Sequence, residues 1–83
     1  MDKITAQKHI ERDRDIQPVL DSLKALFSAI KHRDTGFVLR HGWEGNEEYL
    51  YIQINQGHYT VCITADSKAA IVKDVVDKVI YKF

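Results

Sequence analysis

The chain has 83 residues, of which 45% are apolar and 29% charged, and its 12 basic and 12 acidic side chains give a formal net charge of zero. A chain of this length is one domain that buries only about 60–65% of its unfolded surface, so we expect a thin core. The balanced charge excludes a broad electrostatic attraction to nucleic acid or to anionic membranes, although a local patch can still bind either one.

The first 15 residues are an N-terminal arm that precedes a single α+β domain at residues 16–83. Ile4 and Ile10 are the only large aliphatic residues of this arm after Met1, and residues 11–15 alternate in charge. Such a segment can form a solvated helical extension or a frayed tail. The sequence leaves open a second interpretation, in which the arm docks on a second subunit.

A helix is predicted from Ile16 to about Lys31, because large apolar residues recur there at three- and four-residue spacing. Asp15 is a suitable N-cap, and Pro18 then falls in the first turn, where its missing N–H costs little. A break between Asp15 and Pro18, with a short helix before it, fits equally well. Gly36 can adopt the left-handed conformation that ends a helix.

A strand is predicted at residues 37–41, followed by a loop at residues 42–48 that contains two glycines and three glutamates. We pair Gly42 with Glu47 across a four-residue loop. This register directs side chains to alternate faces, with Phe37 and Leu39 in the core and Val38 and Arg40 on the opposite side.

Residues 49–64 predict two further strands joined by a tight turn at Gln56-Gly57, with Asn55 opposite His58. One side of this hairpin is apolar and carries Leu50, Ile52, Ile54, Tyr59, Val61 and Ile63. The other side carries Tyr49, Tyr51, Gln53, His58, Thr60 and Cys62. A one-residue slip would turn every side chain over, so this sorting fixes which side faces the core.

A second helix is predicted after Thr64, with Asp66 or Ser67 as its N-cap. Its apolar stripe has helical spacing and consists of Ile71, Val72, Val75, Val76, Val79 and Ile80. The β-branched residues weaken helix preference by at most ~0.7 kcal/mol each. Burial of the stripe against a core should outweigh that cost.

The order helix, three strands, helix predicts an α+β fold, a two-layer sandwich in which a three-stranded antiparallel meander packs against both helices (αβββα). Each helix has one apolar face and so does the sheet. Two helices can therefore cover only one side of the sheet, and the other side is left to water or to a partner.

The uncovered side is the candidate binding surface. Its candidate residues are Arg40, Tyr49, Tyr51, Gln53 and Thr60, extended by Trp43 from the adjoining loop. The predicted registers set Arg40 beside Tyr49, and Tyr51 beside Val38 and Cys62. Tyrosine and arginine are enriched in protein contact sites, so the sequence predicts a non-catalytic module that binds a protein partner or a second copy of itself. The alternative is an open sheet face whose aromatic pairs only stabilise the fold.

The element order from Ile16 to Phe83 resembles that of the double-stranded-RNA-binding domain. That family's signature is a lysine cluster at the start of the last helix, which contacts phosphates. The corresponding stretch here, residues 66–70, reads Asp-Ser-Lys-Ala-Ala, with one lysine and one acid. The resemblance is one of element order, and it implies nucleic-acid binding as the alternative function.

The residues do not predict an enzyme, a cofactor or a metal site. His58 and Cys62 share a strand face but lie roughly 13 Å apart, too far for a catalytic or metal-binding pair. The other histidines have no metal-ligand spacing. Three glutamates, Glu44, Glu47 and Glu48, fall in or beside the predicted loop, where nothing indicates burial. An enzyme using His41 and these acids would need a pocket.

The single cysteine, Cys62, excludes an intramolecular disulfide. A secreted domain of this size usually needs disulfides, so we expect a reducing, cytoplasmic setting. The first 15 residues contain no apolar run, which argues against a signal peptide. No window approaches the roughly 20 apolar residues that span a bilayer, and we expect no membrane partner.

Overall fold

The computed structural model describes the backbone of residues 3–83 and the side chains of residues 7–83. The elements in order are α1 (Lys3–Ile30), β1 (Phe37–Glu44), β2 (Glu47–Ile54), β3 (Gly57–Cys62), α2 (Lys68–Val79) and a final 3-10 turn (Ile80–Lys82). The three strands form one antiparallel sheet in the order β1-β2-β3. The predicted αβββα fold is confirmed.

The core lies between the two helices and one face of the sheet, which we call the inner face. α1 contributes Ile16, Val19, Leu20, Leu23 and Phe27, the sheet and the residue after it contribute Leu39, Leu50, Ile52, Ile54, Val61 and Ile63, and α2 contributes Ile71, Val75 and Val79. These residues follow the helical and alternating periods of the sequence. Both helices therefore cover the same side of the sheet.

α1 begins far earlier than predicted and runs without a break through Pro18. The predictions of a helix start at Asp15 and of a break after it were wrong. An interior proline removes a helix hydrogen bond and costs about 3 kcal/mol. Buried contacts on both sides of Pro18 offset this cost, because Ile16 before it is fully buried and Leu23 after it is only 1% exposed. Met1 and Asp2 of the predicted arm lie outside the described residues.

The β1–β2 hairpin turns at Gly45-Asn46, where Gly45 has a φ of 63°. Its register pairs Glu44 with Glu47 and Leu39 with Ile52. The predicted four-residue loop was wrong, because a positive φ at Gly45 allows a two-residue turn that extends both strands. The pairing moves by two residues, so Phe37, Leu39, Val38 and Arg40 keep their predicted faces.

The β2–β3 hairpin turns at Asn55-Gln56 instead of Gln56-Gly57, and pairs Ile52 with Tyr59. Asn55 has a φ of 53°, which asparagine tolerates better than most residues. Its side-chain oxygen accepts a hydrogen bond from the Gly36 N–H at 3.0 Å, and its own N–H donates to the Gly36 carbonyl at 2.9 Å. This register also moves by two residues, and the predicted faces are unchanged.

Two helix ends differ in how well the sequence predicted them. Ser67 caps α2, since its hydroxyl accepts a hydrogen bond from the Ala70 N–H at 3.1 Å. Gly36 does not adopt the predicted left-handed conformation. α1 ends at Ile30, six residues before Gly36, and the Gly36 backbone bonds to the β2–β3 turn.

Candidate functional site

The sheet side that neither helix covers, which we call the outer face, carries the predicted tyrosine surface. Its members are Val38, Arg40, Gly42 and Glu44 of β1, Glu47, Tyr49, Tyr51 and Gln53 of β2, and His58, Thr60 and Cys62 of β3. Five of the six predicted binding residues lie here: Arg40, Tyr49, Tyr51, Gln53 and Thr60. Trp43 does not.

Side-chain neighbours on the outer face differ from those predicted because both registers moved. Arg40 pairs with Tyr51, and Tyr51 pairs with Thr60 on its other side. Tyr49 lies between Gly42 and Cys62. The predicted neighbours, Arg40 beside Tyr49 and Tyr51 beside Cys62, were therefore wrong by one row of the sheet.

Tyr51 lies over the backbone of Gly42. A Cβ atom at Gly42 would stand 2.8 Å from Cε2 of the Tyr51 ring, so the ring occupies the space that a side chain would fill. The Tyr51 hydroxyl donates a 3.4 Å hydrogen bond to Glu44, and the ring centroids of Tyr49 and Tyr51 are 6.1 Å apart. The two rings are half-buried, and Tyr51 is held in place by the sheet itself.

Partial burial raises the pKa of both phenols above the ordinary value. For Tyr49, the neighbours Cys62 and Glu47 raise the pKa further. For Tyr51, Glu44 raises the pKa further, and Arg40 acts in the opposite direction. Both rings are therefore neutral at physiological pH and offer an apolar face with a hydroxyl donor.

A shallow groove of about 260 Å³ crosses the outer face. Its walls include Val38, Arg40, Tyr51, Gln53, His58 and Thr60. Sites for small molecules and cofactors enclose about 300–1,000 Å³. The groove is smaller and more open than these.

Charge is unevenly distributed along the outer face. Arg40 is exposed and forms no salt bridge with any residue whose side chain is described. Glu44 and Glu47 lie at the end of the face beside the β1–β2 turn, where Glu47 accepts a 2.9 Å hydrogen bond from the Thr64 hydroxyl. Cys62, the exposed free thiol, lies 3.6 Å from the same carboxylate. The outer face is thus acidic at the end beside the β1–β2 turn. Arg40, its arginine, lies nearer the opposite end.

Trp43 lies on the inner face, contrary to the prediction that it extends the tyrosine surface. β1 continues to Glu44, so strict alternation places residue 43 on the same side as Leu39. Its ring stacks on His9 of α1 with a centroid distance of 3.7 Å, and its indole N–H donates to Asp13 at 3.3 Å. Trp43 therefore joins α1 to the end of the sheet.

The sequence analysis missed a buried polar network between α1 and the inner face. Glu48 is only 1% exposed and accepts from Arg12 Nε at 3.0 Å, and its carboxylate lies 2.6 Å from His41 Nε2. The other ring nitrogen, His41 Nδ1, lies 2.7 Å from Asp13, and Arg12 Nη2 also donates to the Asp66 carbonyl at 2.8 Å. Expecting Glu48 in an exposed loop was wrong, because β2 begins at Glu47.

One signal in the sequence could have revealed this network. Glu48 has the same parity as Leu50 and Ile52, so extending β2 by two residues places it on the inner face. A carboxylate on an apolar face needs a basic partner, and Arg12 and His41 are candidates. The spacing alone could not have shown that both of them pair with it.

Both nitrogens of the His41 ring are engaged within the network. Both ring nitrogens of His41 face carboxylate oxygens, and both can donate only when the ring is doubly protonated. A cleft of about 370 Å³ between α1 and β1 reaches His41 and Asp13, but neither ring nitrogen is left to face a substrate there. Within the chain from residue 7 onward, no group of three or more His, Cys, Asp or Glu side chains is arranged to hold a metal ion.

The start of α2, where the RNA-binding resemblance requires lysines, carries both basic and acidic side chains. Lys68 lies 3.3 Å from Asp15, and Lys73 lies 3.0 Å from Asp77. Partial burial and the nearby Asp74 raise the pKa of Asp66, while Arg12 opposes the shift. These lysines already face acids, so this end of the molecule offers little uncompensated positive charge to a phosphate backbone.

Comparison with family models, with curated proteins and with solved structures finds no match to this chain. Neither helix of the described chain combines the length and the apolar character that a bilayer-spanning segment needs. The inference of function therefore depends on the residues and on their geometry.

Proposed function

We propose that this chain is a small, non-catalytic binding module that contacts a protein, or a second copy of itself, through the outer face. The observation that carries the proposal is the pair of half-buried tyrosines, Tyr49 and Tyr51, presented beside the exposed Arg40 on a side that no helix covers. The few residues that carry most of the binding energy in protein interfaces are enriched in tyrosine, tryptophan and arginine.

The rigidity of Tyr51 supports this proposal. Its ring is already seated on Gly42 and bonded to Glu44, so binding would cost little additional side-chain entropy. Immobile tyrosines are efficient contact residues for the same reason. We also propose a reducing, cytoplasmic setting, because the only cysteine, Cys62, is an exposed free thiol.

The proposal is tested with two variants of the outer face, Tyr51→Ala and Arg40→Glu, each with a matched control. Tyr81→Ala removes a tyrosine that is 89% exposed and lies outside the outer face, and Arg33→Glu reverses an exposed charge in the α1–β1 connection. Immobilised chains are incubated with a lysate of the source cell, and the retained proteins are identified by mass spectrometry. Complex formation should be lost with the two outer-face variants and kept with both controls.

The thermal unfolding of each variant is also measured by circular dichroism. Because Arg40 is exposed, the unfolding temperature of Arg40→Glu should lie within a few degrees of the wild-type value. If Tyr51→Ala fails to fold while Arg40→Glu folds and retains the same proteins as the wild type, the tyrosines serve stability and the proposal is wrong.

A parallel experiment tests the alternative function, nucleic-acid binding. A mobility-shift assay with duplex RNA is run at low and high salt, since phosphate contacts weaken steeply with salt. A shift at low salt that persists in Tyr51→Ala and is lost in Lys68→Ala would replace our proposal with the RNA-binding alternative.

A further inference from the structure

We propose that the occupant of the outer face is a second copy of this chain, packed about a two-fold axis with its strands antiparallel to the first, so that Arg40 of each copy meets the Glu44 and Glu47 end of the other. This inference rests on the proposed function, which assigns binding to the outer face, and it names the partner.

The charges of the outer face are arranged in rows across the strands. Arg40 lies in one row with Tyr51 and Thr60, and Gly42, Tyr49 and Cys62 form the next row. Glu44 and Glu47 form the row after that, beside the turn. Four residues of strand separate Arg40 from Glu44, about 13 Å. The face therefore has a basic row and an acidic end, with the row of Tyr49 between them.

A two-fold axis in the interface determines which rows of the two outer faces meet. With the strands of the two copies antiparallel, the row order is reversed, so the basic part of one copy lies over the acidic end of the other, twice per dimer. With the strands parallel, each row meets its own counterpart and Arg40 stays two rows from the acids. Opposite charges therefore meet only in the antiparallel arrangement, which is the one that charge complementarity selects.

Among the residues whose side chains are described, Arg40, Glu44 and Glu47 have no ionic partner within the chain. The hydrogen bonds that Glu44 and Glu47 accept from described side chains come from uncharged donors, the Tyr51 and Thr64 hydroxyls and the Cys62 thiol. A net charge of zero also means that two copies do not repel each other at long range.

The middle of the face has the composition of an interface centre. Tyr49 would lie on the two-fold axis against Tyr49 of the second copy, with Tyr51 beside it over the Glu44 and Glu47 row, and the charged residues would form the rim. β1 and β2 each have eight residues, so the sheet presents about 26 Å by about 14 Å, roughly 400 Å² per copy. This area is below the roughly 800 Å² per partner of a standard interface, and we expect a weak dimer with a Kd in the micromolar range or above.

The test measures mass by light scattering and sedimentation from low micromolar to millimolar concentration. The wild type should shift from monomer to dimer over this range, and the shift should move to higher concentration with added salt. Arg40→Glu alone should weaken dimerisation roughly tenfold or more, as should the double variant Glu44→Arg/Glu47→Arg. Arg33→Glu should leave the wild-type behaviour unchanged.

The decisive arm mixes the two charge variants. One copy then has an acidic outer face and the other a basic one, so a one-to-one heterodimer should form at concentrations at which each variant alone is monomeric. The inference is wrong if the outer-face variants dimerise as strongly as the wild type. It is also wrong if the mixture stays monomeric while both variants are folded.

The failure of this inference is distinguishable from failure of the proposed function. A wild type that stays monomeric at millimolar concentration, yet retains a different protein through Tyr51 and Arg40 in the lysate experiment, would refute self-association and leave the binding face standing. If the outer-face variants alter neither self-association nor retention, both proposals fail.

Discussion

At the scale of the residue, Glu48 decides how α1 sits on the sheet. Its buried carboxylate accepts a hydrogen bond from Arg12 and lies within hydrogen-bonding distance of His41. Removal of this carboxylate therefore leaves Arg12 and His41 without the acid that they share. Deleting one partner of a buried ionic group costs about 3–5 kcal/mol. We expect Glu48→Ala to lower the free energy of unfolding by about that amount in urea titrations.

Glu47→Ala is the matched control for this change. Glu47 is the preceding residue and is exposed on the other face, where it accepts the Thr64 hydrogen bond, so its removal should lower the free energy of unfolding by only about 1 kcal/mol. Equal, small effects for the two substitutions would show that the buried network contributes little to stability.

Asp66 supplies a pH-dependent prediction at the same scale. Partial burial, together with Asp74, raises its pKa in the folded state. A raised carboxyl pKa gives stability below the unfolded pKa, near pH 4, and that stability is lost as the pH rises through the folded value. At neutral pH the ionised Asp66 is therefore unfavourable. Asp74→Asn should raise stability at pH 7 by roughly 0.2–1 kcal/mol, and the gain should shrink below about pH 4.

The control for this prediction has the opposite sign. Asp77→Asn, one turn further along α2, removes the acid that pairs with Lys73 and should lower stability slightly at pH 7. Thermal unfolding at several pH values measures both variants. A stability loss for Asp74→Asn at neutral pH would contradict the assigned repulsion.

At the scale of the element, the β1–β2 turn depends on the backbone conformation of Gly45. Its φ of 63° lies in the left-handed region, which costs a residue with a Cβ atom roughly 1–2 kcal/mol. Gly45→Ala should destabilise the fold by about that amount in chemical unfolding. Gly36→Ala is the control, because Gly36 has no positive φ and a Cβ atom there meets nothing within 4 Å.

The helices show how far local signals reach. The Ser67 cap of α2 was predictable because an N-cap depends on residues three positions apart. The start of α1 was not, since Asp15 has the local character of a cap but lies inside a longer helix, with its carboxylate near Lys68. Tertiary contacts of His9, Arg12 and Asp13 with the sheet outweigh the local preference.

At the scale of the whole molecule, the tyrosines of the outer face link stability to alkaline pH. The pKa values of Tyr49 and Tyr51 are raised by burial and by nearby acidic groups. A raised pKa means that the unfolded chain loses its phenolic protons first, so stability is complete below about pH 10 and falls as the pH rises through the folded values.

This expectation is measured by following tyrosine ultraviolet absorbance and circular dichroism together across the alkaline range. Tyr51→Phe should remove one late-titrating phenol and make the midpoint of alkaline unfolding less sensitive to pH. Ionisation of all four tyrosines before any loss of structure, at their ordinary pKa, would be incompatible with the half-buried rings.

The amino-acid sequence by itself determined the element order and the face to which each strand residue points. Alternation has a period of two and survives a two-residue change of register, so Arg40, Tyr49 and Tyr51 were placed on the outer face even though their neighbours were not. Only the tertiary structure decided the registers, the true start of α1, the inner position of Trp43 and the pairing of Arg12 with Glu48. These features depend on turn conformation and on contacts between residues as far as 54 positions apart, which no local pattern records.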